Sequence, residues 1–235
     1  MCTVTFLPLK NNNFILTSSR DVPFLRKKAL LPKKYIEDNI ELYYPKDGQA
    51  EGTWIGISEK QRLICLLNGG FNNHQQQDSY ARSRGLIVKE LLKTDDITKA
   101  CKDVDLENVE PFTLVIVEWD LHLFLFEFVW DGKQKYLKIL PLEPTIWSSS
   151  TLYDESMKKK RKDWFADWLN KLKIQSENFK IIKDKILDFH HNAGIGNPKI
   201  DVMMKRPKVG TASITQVGKN DKIITMDYKK IDQIK

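Results

Sequence analysis

The sequence predicts an α+β protein, a four-layer αββα sandwich of two mainly antiparallel sheets with helices on their outer faces. Three observations predict it. Short β-rich runs come in neighbouring pairs joined by turn residues, which makes hairpins and so antiparallel pairing. Two stretches carry apolar residues at steps of three and four, the spacing of a helix with one buried stripe. The elements run strands, helices, strands, helices, strands, with no internal repeat or Gly/Ser linker, so a single domain over residues 1–235 is expected.

Thr3 to Leu9 and Phe14 to Ser19 form the first pair. Lys10-Asn11-Asn12-Asn13 between them reads as a turn, because Asn tolerates left-handed backbone. This hairpin brings Arg20 or Asp21 back beside residue 2. Pro23, Pro32 and Pro45 then mark a looped stretch over the surface. Thr53 to Ser58 and Arg62 to Leu67 make a second hairpin across Glu59-Lys60-Gln61, ended by Asn68-Gly69-Gly70. Tyr80, Ile87, Val88, Leu91 and Leu92 predict a helix over Asp78 to Leu92, weakened at Gly85. Thr94 is the expected cap of a short helix over Asp95 to Lys102.

Phe112 to Trp119, Leu121 to Trp130 and Gln134 to Leu140 predict a three-stranded meander turning at Asp131-Gly132. Trp164, Phe165, Trp168, Leu169 and Leu172 mark one helical stripe, read as core rather than as a lipid-facing surface. With Ser176 as the cap, Phe179, Ile182, Ile186 and Phe189 continue the stripe to His190. Thr211 to Val217 and Ile223 to Tyr228 close the chain as a hairpin around Gly218-Lys219-Asn220-Asp221.

Composition narrows the function classes. A hydrophobic content of 41% argues against disorder. No apolar run approaches the ~20 residues that span a bilayer, so no integral membrane segment is expected. Lys10 and Asn11 to Asn13 break any apolar N-terminal stretch, and the expectation is a cytoplasmic protein without a secretory signal. Cys2, Cys65 and Cys101 are too few and too scattered for a disulfide framework or a zinc site. No P-loop or GxGxxG occurs, and adjacent His190-His191 suits a helix end better than a metal, so neither cofactor nor metal is expected. The net charge is +7, from 38 basic and 31 acidic residues. Much of the excess sits in Lys158-Lys159-Lys160-Arg161-Lys162, read as a solvated helix face, and nucleic acid is not expected as a partner.

The residues that can do chemistry begin at the N-terminus. If Met1 is removed, Cys2 carries a thiol and a free α-amine that titrates at about 7.7–8.0, so one residue supplies nucleophile and base. The alternative is a small hydrophobe packed in a strand. Arg20 would favour the thiolate, and Asp21 would accept the α-ammonium hydrogens; otherwise they are an ion pair capping a strand. Asn68 can aim its amide at a developing oxyanion, or be a turn residue. A pocket beside Cys2 is expected, lined by aromatic residues of the central strands and closed by the Asn68 to His74 loop. Cys65, inside Leu63 to Leu67, should be buried, while Cys101, near a polar helix end, should titrate like a free thiol at about 8.5.

MCTVTF, FILTSSRD, LYYPKDGQAEGTWIGIS, LLNGGFNNH and YARSRG together resemble the NRDE family, also called the transport-and-Golgi-organisation type-two family. The likeness is specific over residues 1 to about 92 and looser through TIWSSSTLY and GTASITQV. Through that family the chain is distantly similar to choloylglycine hydrolases and penicillin V acylases, N-terminal-nucleophile (Ntn) amidohydrolases with an αββα sandwich. The resemblance implies Cys2 as nucleophile, Arg20 and Asp21 as the pair beside it, and Asn68 as oxyanion donor. It also marks departures. Val22 ends a motif that closes in Asp-Glu, Ser19 replaces its leading Asn, Ser150 stands where relatives carry Asn, and Ala212 where they often carry Arg. Two functions are implied: cleavage of a small-molecule amide, or non-enzymatic carriage of a haem-like or lipid-like ligand.

Overall fold

The computed structural model describes residues 3–172 and 178–232. In chain order the first strands are β1 (Thr3–Leu9), β2 (Asn13–Pro23), β3 (Lys33–Glu37), β4 (Ile40–Tyr44), β5 (Ile55–Ser58) and β6 (Arg62–Asn68). Helices α1 (Arg84–Leu92) and α2 (Ile97–Asp103) follow, then β7 (Phe112–Glu118), β8 (Phe124–Trp130), β9 (Lys135–Leu140) and β10 (Thr145–Ser148). Helices α3 (Glu155–Lys171) and α4 (Phe179–Asn192) precede β11 (Val209–Asn220) and β12 (Ile223–Lys230). The strands form two antiparallel sheets, ordered β10-β1-β2-β11-β12 and β3-β4-β5-β6-β7-β8-β9. The α+β class is as expected.

The chain divides into two compact units, each a sheet with two helices on one face. The first holds the described residues through Leu25, Glu143–Ser149 and those from Tyr153 onward. Its sheet begins with the expected hairpin. Asn11 and Asn12 take φ of 60° and 56°, and the register sets Thr3 opposite Ser19 and Leu9 opposite Asn13. Strand β2 runs four residues past Ser19, because β11 continues to pair with it as far as Pro23. Arg20 and Asp21 therefore lie inside a strand. The apolar residues Leu7, Ile15 and Ile146 of the sheet pack against Phe165, Ile182, Ile186 and Phe189 of α3 and α4. Trp164 and Trp168 pack on the same cluster, so that stripe is core.

The second unit comprises Arg26–Leu142 and Ser150–Leu152. Helix α1 covers the sheet with Ile87, Val88, Leu91 and Leu92, and its neighbours β5 and β6 pair through apolar residues until the buried Ser58–Arg62 pair at their turn end. Gly85 has a packing reason to be in this helix. It sits at the second helical position, where an added Cβ would come within 2.9 Å of the Thr53 backbone, so its lack of side chain lets α1 approach the chain entering β5.

Several elements differ from expectation for local reasons. The stretch between Pro32 and Pro45 holds the β3–β4 hairpin, turned by Asp38 and Asn39 at φ of 52° and 62°. Strand β10 has four residues, too short for a periodic signal, and exists because β1 offers it a free edge. Helix α1 starts at Ser83, whose hydroxyl accepts from the Gly85 amide, and Asp96 rather than Thr94 caps α2. Asn178 caps α4, while Ser176 lies outside the described residues. The last turn is Asp221-Lys222, since Gly218 and Asn220 remain paired in β11.

Cys65 is fully buried, as expected. Cys101 is not the free thiol its sequence setting implied. It faces inward from α2 at 1% exposure, and burial pushes its thiol up to about 12.

Candidate functional site

Cys2, and with it any cavity adjoining it, lies outside the described residues. Its chain neighbour Thr3 opens β1, opposite Ser19 on one side and Ser148 on the other. Arg20 and Asp21 are buried on β2 at 5% and 2% exposure. Successive strand residues point to opposite faces, which separates the two. Asp21 shares the helix-covered face with Ser19, and Arg20 shares the other with Ser18. Across the β2–β11 ladder Ser213 lies opposite Arg20 and Thr215 opposite Ser18; both of their hydroxyls are buried without a partner among the described residues. The Ser18/Arg20 face of this strand end is thus a polar band.

The helix-covered face carries a buried polar network. Asp21 accepts from the Tyr153 hydroxyl at 2.8 Å and from the Thr211 hydroxyl at 2.5 Å. His190, at the end of α4, is fully buried between Thr5 Oγ1 at 2.9 Å and Ser19 Oγ at 2.8 Å. Burial first, and then the charges of Arg161 and His191, push its imidazole down to about 3, so it is neutral and one ring nitrogen donates while the other accepts. Among the described residues no group of three or more His, Cys, Asp or Glu is placed to hold a metal ion.

Arg161 corrects the reading of the basic run. The lysines around it are exposed or half-buried, but Arg161 is wholly buried. Its guanidinium donates to Thr3 Oγ1 and to the carbonyls of Ile200 and Asp201, and lies 3.6 Å from the centroid of the Tyr153 ring. The signal was in the sequence: Arg161 stands four residues before Phe165, on the helix's buried stripe.

Asn68 ends β6 in the second unit, paired with Phe112. The following Gly69 has φ of +84°, and an added Cβ there would lie 2.1 Å from Ser150 Oγ. The Ser150 hydroxyl also donates to the Asn72 carbonyl at 3.3 Å, so Ser150 closes down on the Asn68 turn. His74 in the same loop has Nε2 3.3 Å from Glu110, which Arg84 also holds at 2.9 Å. Ala212 occupies the bulge where the β2–β11 register shifts between Thr211 and Ser213.

Residues 1–224 match the Transport and Golgi organisation 2 family. The chain belongs to that family. No curated protein sequence matches this family member significantly. Its fold is similar to that of the Caenorhabditis elegans ortholog of N-acylethanolamine-hydrolyzing acid amidase, with a TM-score of 0.59, 10% identity and 92% of each chain covered. It is also similar to a C2A mutant of the conjugated bile acid hydrolase from Clostridium perfringens, at a TM-score of 0.53 and 8% identity over 100% of this chain and 94% of that one. Penicillin V acylase from Agrobacterium tumefaciens follows at 0.50 and 9%, over 99% and 87%. At such identities these likenesses establish the Ntn-hydrolase fold for this Transport and Golgi organisation 2 protein.

Proposed function

We propose that this protein is an Ntn-type amidohydrolase that cleaves a non-peptide amide of a small molecule with Cys2 as its N-terminal nucleophile. One observation carries the reading: Asp21 is a buried carboxylate with two hydroxyl donors, on the strand whose Ser19 pairs with the residue after Cys2. A carboxylate so fixed is suited to hold an α-ammonium. The similar bile acid hydrolase, solved as its C2A mutant, also has cysteine in second position.

After Met1 removal the Cys2 α-amine takes the thiol proton, and the sulfur attacks the amide carbonyl carbon. The carbonyl electrons move to oxygen, and Asn68, by its place after β6 and the family likeness, is the donor assigned to that oxyanion. Collapse breaks the C–N bond, the α-ammonium returns its proton to the leaving amine, and a thioester remains. Water gives a proton to the α-amine and attacks the thioester; collapse breaks the C–S bond, releases a carboxylic acid and returns the α-ammonium proton to the Cys2 sulfur. Arg20 favours the thiolate throughout.

The test combines intact mass with iodoacetamide labelling at neutral pH, on chains with and without Met1. Fast labelling of Cys2 only after Met1 is lost supports the nucleophile. Equal, slow labelling in both forms refutes it.

A second reading, a non-enzymatic carrier of a haem-like or lipid-like ligand, is favoured by one feature. An open groove of about 570 Å³ runs between α4 and β11–β12, with Phe179, Leu187, Ile214 and Ile223 on its walls and Lys180 and Lys229 at its rim. Asp184 and Asp227 also line it, so the apolar walls, with Lys180 and Lys229 as anchors, are what suit an amphipathic ligand. Saturable quenching of tryptophan fluorescence by haemin or oleate, removed by Leu187→Asp, would support it.

A further inference from the structure

We propose that Arg161 is a positioning residue for the N-terminal nucleophile, acting through Thr3 and Tyr153. This deepens the hydrolase reading and rests on it.

Taking a guanidinium out of water costs several kcal/mol, and an apolar side chain of similar volume is often the more stable occupant of such a site. Arg161 is nonetheless at 0% exposure, one helical turn from Phe165 in the core of the first unit. Among the described residues no carboxylate pairs with it, and its Nε has no partner. Among the described residues its charge is met by Thr3 Oγ1, two backbone carbonyls and the face of Tyr153. Stability alone does not account for an arginine here.

What it touches does. Thr3 is bonded directly to Cys2, so fixing its side chain to α3 fixes the peptide from which the nucleophile extends. Tyr153 lies against the Arg161 guanidinium, with Arg206 5.3 Å from the same ring. The ring so held delivers its hydroxyl to Asp21 Oδ2. One arm of Arg161 thus holds Thr3, the residue that follows the nucleophile, and the other holds Tyr153 on the carboxylate assigned to the nucleophile's amine. Its positive charge also adds to burial in keeping His190 neutral, so that His190 can bridge Thr5 and Ser19 on the same two strands.

The experiment uses the full chain with Met1 removed. Cys2 alkylation by iodoacetamide is followed by peptide mass from pH 5 to 9, beside the thermal midpoint, in the parent, Arg161→Met, Arg161→Lys and Tyr153→Phe. Losing the cation, or the hydroxyl that donates to Asp21, makes the surroundings more negative and so disfavours the Cys2 thiolate. Arg161→Met and Tyr153→Phe should therefore raise the labelling midpoint by about 0.5 pH unit and slow labelling about threefold below it. Arg161→Lys, which keeps the charge, should restore the midpoint. Should Arg161→Met fail to fold, Tyr153→Phe carries the test, since it keeps the ring and removes one oxygen. A fall in thermal midpoint with parental labelling rate and pH profile would make Arg161 merely structural and overturn the proposal. Slow labelling of the parent itself would instead overturn the hydrolase reading, and this inference with it.

Discussion

His190 is an imidazole whose chemistry is decided by where its ring ends up. In the unfolded chain it titrates near 6.5, whereas between Thr5 and Ser19 it stays neutral until about pH 3. A lowered histidine pKa means the unfolded state binds the proton more readily. The stabilisation is complete above pH 6.5 and drains away as pH falls from 6.5 toward 3, by at most about 1.4 kcal/mol per pH unit. His191 titrates low as well, through burial and then Lys229, so it contributes to the same window. The comparison that isolates His190 is urea unfolding of the parent and His190→Gln at pH 7 and pH 5. The parent should lose about 1–2 kcal/mol more than the variant between the two pH values. Parallel losses would mean that His190 does not stay neutral.

At the scale of elements, two charged side chains finish structures that the backbone alone leaves open. Arg62, buried at 1% on β6, donates to the carbonyls of Leu91 and Thr94 and pairs with Glu118 on β7. It satisfies the orphan carbonyls at the end of α1 and ties that end to the sheet. Arg62→Ala strands those acceptors and Glu118, so unfolding in urea should show a loss of about 3 kcal/mol. A loss below about 1 kcal/mol would reduce Arg62 to a surface ion pair.

Asp47 orders the turn before β5. Burial alone would raise its pKa, but the Arg26 fork and the Ala50 and Gln49 amides outweigh this and hold it at about 2. The carboxylate's contribution is complete above the unfolded value near 3.8 and disappears as pH drops through that value to about 2. Asp47→Asn should cost about 2 kcal/mol at pH 7 and little at pH 2.5, read from urea midpoints. An equal cost at both would assign the effect to shape rather than charge.

Across the whole molecule each unit's core has its own reporter, and the thiols report on the second. Cys65 and Cys101, both in the second unit, are buried and the latter's thiol is pushed up to about 12. Ellman's reagent at pH 8 should leave both unreacted in the native protein and titrate all three cysteines of the chain in 6 M guanidinium. Native reaction at Cys101 would show that α2 opens readily. The first unit's core is tested by Ile186→Ala, which removes a fully buried side chain from between sheet and helices and should cost about 2–4 kcal/mol.

By itself the sequence determined the secondary-structure classes, the antiparallel pairing and the register of the first hairpin. Each of these depends on neighbours a few residues apart: Asn11 and Asn12 supply the left-handed turn, and Phe165, Ile182, Ile186 and Phe189 recur at helical spacing. The position of Asn68 at a strand end was legible for the same reason, whereas Arg20 and Asp21, expected at the end of their strand, lie inside it. Only the tertiary structure decided what meets those residues. The length of β2 came from β11, about 190 residues further on, and β10 from the free edge of β1. Thr211, Tyr153 and His190 reach Asp21 and Ser19 from 132 to 190 residues away. Arg161 looked like one more cation in a solvated run. Its burial follows from the face of α3 that turns toward the sheet, where Thr3 and Tyr153 supply the partners that a local pattern cannot contain. Burial and long-range partners are properties of the packed chain, and they set the ionisation of His190 and Cys101 that composition left at their ordinary values.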